Sequence, residues 1–394
     1  MEAVTDVVFR HVVKRAGAPD VFFTEFANAT GWVHAGDKAI AGRLIKTDDE
    51  HPLVAQIWGG EPGDMEQFAA HCAQLGFDGI DINMGCPAKS AIKSGGAALI
   101  RRPEVAIAAI AAAKTAGLPV SVKTRLGYTY IDEWREWLTA ILQQDIVNLT
   151  IHLRTKKEMS KIPAHYELID DFVKLRDEIA PQTLLTINGD IRNRAHGEEL
   201  FAAHPGLNGL MIGRGIFSDP FCFRASRAVS QKKSGQLYMG PGLFSDDTRE
   251  IGNTYAKLGA VDCSRIVNTP AERSRSISSG DASEKSTPAQ ERGADDADFY
   301  DDIRGVSKTT RKEHSEGAEL SITTRKTELI ALLHYHLDLF DRYQPALGRP
   351  FETLKRFFKI YIRDFDGAKE LRDQLMHTKN TSEVRQILEE IQYL

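Results

Sequence analysis

Gly79-Ile80-Asp81-Ile82-Asn83-Met84-Gly85-Cys86-Pro87-Ala88-Lys89 reads as a strand that ends on a thiol. Residues 79–83 have the pattern of a buried strand, and Asn83, Gly85 and Pro87 stop it abruptly. Cys86 is left at the lip of whatever the strands enclose, with an amide, a glycine and a lysine close by. A cysteine at a strand-to-loop break is placed for chemistry rather than packing. The competing reading is an inert buried thiol, the commoner fate of free cysteine. Lys89 and the open turn argue against it.

The same kind of apolar run recurs along the chain. Residues 21–25, 53–57, 119–123, 147–151, 184–187 and 210–212 join 79–83 as expected strands. Between them lie helical patterns near 7–13, 64–75, 103–116, 132–144, 166–179 and 194–203. Strands separated by helices of this length pair in parallel, because each crossover needs a helix. Seven strands fit either a (β/α)8 barrel or a doubly wound sheet. Gln56, Cys86, Lys123, His152, Asn188 and Gly213 decide between them, since all sit at or just beyond a strand's C-terminal end. A barrel gathers such ends at one mouth, whereas a doubly wound sheet concentrates them at one switch point. The even spread favours a TIM (β/α)8 barrel over residues 1–230.

Residues 231–325 break the pattern and read as a polar, disordered linker or insertion. Helical periodicity returns over 326–394, with faces of Leu329, Leu333, Leu337 and Phe340, then Leu354, Phe357, Phe358 and Tyr361, then Val384, Ile387, Leu388 and Ile391. A small helical bundle is expected there. Lys355, Arg356, Lys359 and Arg363 interleave with aromatics, which suits either an RNA backbone or a solvated helix face.

The formal charge of -5 over 394 residues does not mark a nucleic-acid binder, so any such surface must be local. Four cysteines at irregular spacing match neither a disulfide framework nor a metal site. No apolar run is long enough for a bilayer. A cytoplasmic monomer with no metal and no membrane partner is the expectation.

Gly189-Asp190 and Gly213-Arg214-Gly215 follow the last two strands, where barrels often hold a phosphate group. Small residues let backbone N–H groups approach the anion, and Arg214 adds charge. Lys123 points into the mouth toward negative charge, or else snorkels at the surface. Arg125 would point the same way. Gln56 offers a donor and an acceptor for a heterocycle edge. His152 reads either as a ligand-facing group or as a satisfied structural one.

Taken together, these residues resemble the FMN-dependent tRNA-dihydrouridine synthase family. The segments that carry the resemblance are residues 1–6, Asn83-Met84-Gly85-Cys86-Pro87, Val122-Lys123-Thr124-Arg125, His152-Leu153-Arg154-Thr155, Asn188-Gly189-Asp190 and Gly213-Arg214-Gly215. It covers residues 1 to about 226 and a helical domain at 326–394 that would grip tRNA. The resemblance implies FMN at the barrel mouth, bound by Met1, Glu2, Gln56, Lys123, His152, Asn188, Gly189, Asp190, Gly213 and Arg214. It implies NADPH or NADH as reductant, and tRNA uridine held by Asn83, Lys89, Arg125 and Arg154. Cys86 would be the general acid that protonates C5. The alternatives are a tRNA-binding protein of the same fold that has lost turnover, and a small-molecule flavin reductase of the dihydroorotate dehydrogenase type.

This chain departs from the family in three places. The first barrel strand is expected ahead of Met1 and so is truncated here. Leu153 stands where many members carry glycine, and the polar segment 231–325 is not a typical family feature.

Overall fold

A parallel sheet curls around a polar interior. The computed structural model describes residues 1, 3–40, 42–225 and 316–392, with side chains from 324 to 390 in the last stretch. Its strands are β1 (Phe22–Phe23), β2 (Ala27–Asn28), β3 (Leu53–Trp58), β4 (Gly79–Asn83), β5 (Val120–Arg125), β6 (Asn148–His152), β7 (Leu184–Asn188) and β8 (Gly209–Met211). They run in the order β1-β3-β4-β5-β6-β7-β8, with β2 beside β3. Among the described residues no ladder joins β1 to β8, so the barrel sheet stays open between its two end strands. Residues 226–315, Glu2 and Ala41 lie outside the described residues, and with them most of the linker expected over 231–325; its last ten residues instead open the helix Glu316–Leu347.

The sheet has eight strands rather than the seven expected. What reads as one strand over 21–25 is two short pieces, β1 and β2, interrupted at Thr24-Glu25-Phe26. The break has a local cause. The Thr24 hydroxyl accepts the Gln56 N–H at 3.0 Å, and the Glu25 carboxylate turns to meet Arg349. Strands β3, β5, β6 and β7 run on one or two residues further than expected, which brings Arg125 and His152 into regular pairing at Arg125↔His152.

Alternation sets the two faces of the sheet. Ile80, Ile82, Val122, Leu149, Ile151, Leu185 and Ile187 are buried in one apolar core with the surrounding helices. Asp81, Asn83, Ser121, Lys123, Arg125 and Thr150 occupy the alternate positions and line the interior. The crossover helices Pro62–Gln74 and Pro103–Lys114 both begin on proline, whose fixed φ and missing N–H suit a first turn.

A second core does not follow the division drawn at residue 230. Helix α1 (Val7–Gly17), capped by Asp6 onto the Phe9 N–H at 2.9 Å, buries Val7, Val8, Phe9, Val12 and Val13. These pack with Leu329, Leu333, Leu337 and Phe340 of the helix Glu316–Leu347, and with Ile216, Phe217 and Phe221 from beyond β8. The described barrel and terminal helices thus form one compact unit. The stretch expected as one basic helix is two short ones, Glu352–Lys355 and Phe358–Tyr361. Its cations face protein. Arg356 Nη1 donates to Ala3 O at 3.1 Å, Arg363 Nη1 donates to Ser218 O, and Lys355 Nζ donates to Met376 O at 3.0 Å.

Candidate active site

Register places the polar strand ends side by side. Asn83 pairs with Lys123, Lys123 with Thr150, His152 with Asn188, and Asn188 with Met211. The loops carrying Cys86, Gly189 and Gly213 follow directly, so the expected mouth residues line one rim.

A hydrogen-bond chain runs from the interior to the thiol. Ser121 Oγ donates to Asp81 Oδ1 at 2.6 Å, and Gln56 Nε2 donates to Asp81 Oδ2 at 2.7 Å. Asn83 Nδ2 donates to Gln56 Oε1 at 3.2 Å. Asn83 Oδ1 then accepts the Gly85 and Cys86 N–H groups at 3.1 and 3.0 Å. An asparagine accepting from residues two and three ahead folds an Asx turn, which sets where the half-buried Cys86 points. Burial raises the Asp81 carboxyl above its ordinary range, against the pull of Ser121, Gln56 and Lys123.

Arg125 fixes the same loop from the other side. Its Nε donates to Gly85 O at 2.7 Å, while Nη1 donates to Thr155 O at 3.1 Å and Met159 O at 3.0 Å. Lys123 differs from its neighbours, since no hydrogen-bond partner is found for its ammonium among the described residues. Burial and then the Arg125 charge push it down to about 8, with Asp81 and Cys86 pulling the other way. His152 sits well below its ordinary value, first through burial and then through Arg125, Lys123, Arg154 and Arg214. It stays neutral among cations.

On the far side Asp190 is a hub. Its Oδ2 accepts from Arg154 Nη2 and from Ala164 N at 3.0 Å, and its Oδ1 accepts from Arg214 Nη2 at 3.4 Å. Burial alone would raise this carboxyl, but the Arg154 bond and charge, Ala164 and Arg214 outweigh it and hold it low. Arg154 is 2 % exposed and also donates to Ile162 O at 2.6 Å, so it braces the turn. Gly189 has φ +127, and Tyr166 OH donates to its carbonyl at 2.7 Å. At Gly213 a Cβ would meet nothing of the chain closer than Asn188 Nδ2 at 3.7 Å. Packing does not demand that glycine, and its backbone is left open.

The remaining expected site residues are more scattered. Lys89 is exposed on the short helix Lys89–Ile92 just past Cys86. Met1 donates its amine to Thr5 Oγ1 at 2.7 Å and packs on the second core.

Sequence reasoning passed over Asp81, Ser121 and Tyr166. The signal for the first two was there, because Asp81 and Ser121 alternate with the chosen Asn83 and Lys123. Tyr166 carried none, since only the fold brings it to Gly189.

Residues 1–241 match the family described as Dihydrouridine synthase (Dus). Over its full length the chain is 45% identical to the "Probable tRNA-dihydrouridine synthase 2" of Bacillus subtilis, covering 100% of this chain and 92% of that one. It is 42% identical to the "Probable tRNA-dihydrouridine synthase" of Staphylococcus epidermidis, covering 99% and 91% of the two chains. The Staphylococcus aureus (strain Mu50) protein of that name is likewise 42% identical, over 100% of this chain and 91% of its own. The alignments therefore span the terminal helices as well as the barrel, and the chain belongs to the dihydrouridine synthase family.

Proposed function

We propose that this chain reduces the C5–C6 double bond of uridine in tRNA to 5,6-dihydrouridine. It would use FMN held at the barrel mouth and NADPH or NADH as the source of electrons. The observation that carries the reading is Lys123, a cation at the strand-end row with no hydrogen-bond partner among the described residues and with Cys86 in electrostatic reach. An ammonium drawn partly out of water with no acceptor in hydrogen-bond reach calls for an electron-rich ligand.

The residues fit a flavin phosphate ester. Lys123 would face the electron-rich edge of the ring, and Gly213, Arg214 and the Gly189 turn would receive the phosphate. Asp190, held by Arg154 and Ala164, would keep that turn in place. His152, neutral and close to both arginines, would donate or accept a hydrogen bond without adding charge. When bound, FMN would supply hydride to C6 of uracil.

The chain does the rest. Hydride arriving at C6 leaves C5 electron-rich and in need of a proton. Cys86 gives its S–H proton to C5, the new C–H bond forms, and the electron pair stays on sulfur. Lys123 and Arg125 lie close enough to stabilise that thiolate until water reprotonates it. Asn83 holds the loop that carries the thiol by accepting the Cys86 N–H. The uridine must leave its stack to enter, so folded RNA shape governs recognition.

The purified protein is expected to be yellow and to bleach with NADPH or NADH in the absence of oxygen. Added unmodified tRNA should restore the colour and gain two mass units per dihydrouridine formed, about 2 Da by mass spectrometry. A colourless chain that still bound tRNA would replace the enzyme with a binding protein. Bleaching with no response to tRNA would point to a small-molecule reductase.

A further inference from the structure

We infer that Tyr130 is a stacking platform at the rim of the mouth, on which tRNA lays the unpaired base beside the uridine drawn into the site. The inference rests on the reading above and adds where the substrate is gripped. Tyr130 is 65% exposed, ahead of Met376 at 49% among the exposed large hydrophobic side chains. An exposed ring is ordinarily mobile and unremarkable. This one is held.

Its loop is pinned at every residue. Glu133 accepts the N–H of Tyr128 at 2.5 Å, of Thr129 at 3.2 Å and of Tyr130 at 3.0 Å. Gly127 makes the closure possible, because a Cβ there would come within 2.5 Å of Tyr130 O. The loop after β6 then zips onto it, with Lys156 N donating to Gly127 O at 2.8 Å and Lys157 N to Tyr128 O at 2.9 Å. Arg125 joins that second loop to the Cys86 loop through Thr155, Met159 and Gly85. The backbone that carries the ring is therefore tied to the thiol's own support.

Charge identifies the occupant. The chain carries -5 overall, yet this rim gathers Arg101, Lys156 and Lys157 around the two tyrosines. Arg101 lies 3.8 Å and Lys156 4.9 Å from the Tyr128 ring centre, and Lys157 lies 5.8 Å from that of Tyr130. Of the acids beside them, Glu133 is engaged by the loop N–H groups and Glu158 by Thr155 N at 2.7 Å, which leaves the exposed Asp132 against three cations. A fixed aromatic face among cations suits a base with its phosphates. Extracting one uridine strips its neighbour of a stacking partner, and Tyr130 replaces that partner.

Three variants test the inference with unmodified tRNA. Tyr130→Ala should raise Kd and KM for tRNA about tenfold, the scale of one lost base–aromatic stack. The slope of log Kd against log salt should not change, since no phosphate contact is lost. Tyr130→Phe keeps the ring and should stay within about twofold of the unaltered chain. Lys157→Gln should lower the salt slope by about 1.

Flavin content and Tm at the unaltered level confirm that the Ala variant is folded. Unchanged tRNA affinity in Tyr130→Ala would overturn the platform, as would a Phe variant as weak as the Ala variant. A change of oligomeric state with tRNA affinity intact would also overturn it, and would make a second copy of the chain the occupant. If the unaltered chain formed no dihydrouridine, the underlying reading would fail and take the platform with it. If dihydrouridine formed while Tyr130→Ala kept its KM, only the platform would fail.

Discussion

Lys123 and Cys86 divide the chemistry at the scale of single residues. In the free protein the Lys123 ammonium is held down to about 8, by burial first and by Arg125 second. The hydrogen-bond-accepting edge of the ring would bind the protonated amine, so FMN affinity should be flat below pH 8 and fall as pH rises beyond it. Lys123→Met should flatten that profile and weaken FMN about 10- to 100-fold, the scale of one lost charge-assisted hydrogen bond. Titration of the apoprotein with FMN between pH 6 and 10 measures both, and a pH-independent wild-type affinity would remove Lys123 from the flavin site. Cys86→Ala should lower dihydrouridine formation about 10²- to 10⁴-fold while the protein stays yellow. Full-rate turnover by that variant would end its role as the acid. Both residues are legible in the sequence, because each marks the end of an apolar strand. Their supports are only half so: Asp81 and Ser121 share the right alternation, but nothing local shows that they bond to each other.

Loops after neighbouring strands act together at the scale of elements, and Arg125 joins them. Its guanidinium spans Gly85 O, Thr155 O and Met159 O, a geometry that the single ammonium of lysine cannot reproduce. Arg125→Lys should cost about 2–4 kcal/mol of stability, for one or two charge-assisted bonds lost. Backbone amides of 155–159 should exchange faster with solvent, and turnover should fall more than flavin content does. Unchanged exchange in that loop would mean that the arginine does not brace it. The sequence suggested Arg125 as a substrate contact because it lies two residues beyond Lys123 on the same face. Tertiary packing also gives the guanidinium three carbonyl partners, which accounts for its 5% exposure.

Arg349 ties distant parts of the chain together at the scale of the whole molecule. It donates to Asp6 Oδ2 at 2.8 Å and to the buried Glu25, thus linking the terminal helices to the α1 cap and the break between β1 and β2. Burial, and then the Glu25 charge, raise Asp6 to about 6, with Arg349 pulling it back. Because the folded value lies above the unfolded 3.8, the folded state holds the extra proton in that window. Asp6 thus contributes stability at acid pH that is lost as pH rises through about 6. Arg349→Met leaves these buried carboxylates without their counter-charge and should cost about 3–5 kcal/mol near neutrality. The loss should be smaller at pH 5, where Asp6 takes up a proton. Urea unfolding at pH 5 and pH 8 decides this, and an equal loss at both would show that the arginine does not act through Asp6.

The order of strands and crossover helices, the mouth they open onto, and the residues at their ends follow from local pattern. Side-chain period and strand-ending residues are properties of short stretches, and Cys86, Lys123, Asn188 and Gly213 are read from them. The break at Glu25, the shared core of α1 with the terminal helices and the roles of Arg125 and Arg349 were settled only by tertiary structure. Each depends on a partner far along the chain: Arg349 meets Glu25 across 324 positions. No periodicity records such a meeting, because it is the burial of charge in one common core that decides which residues must find each other.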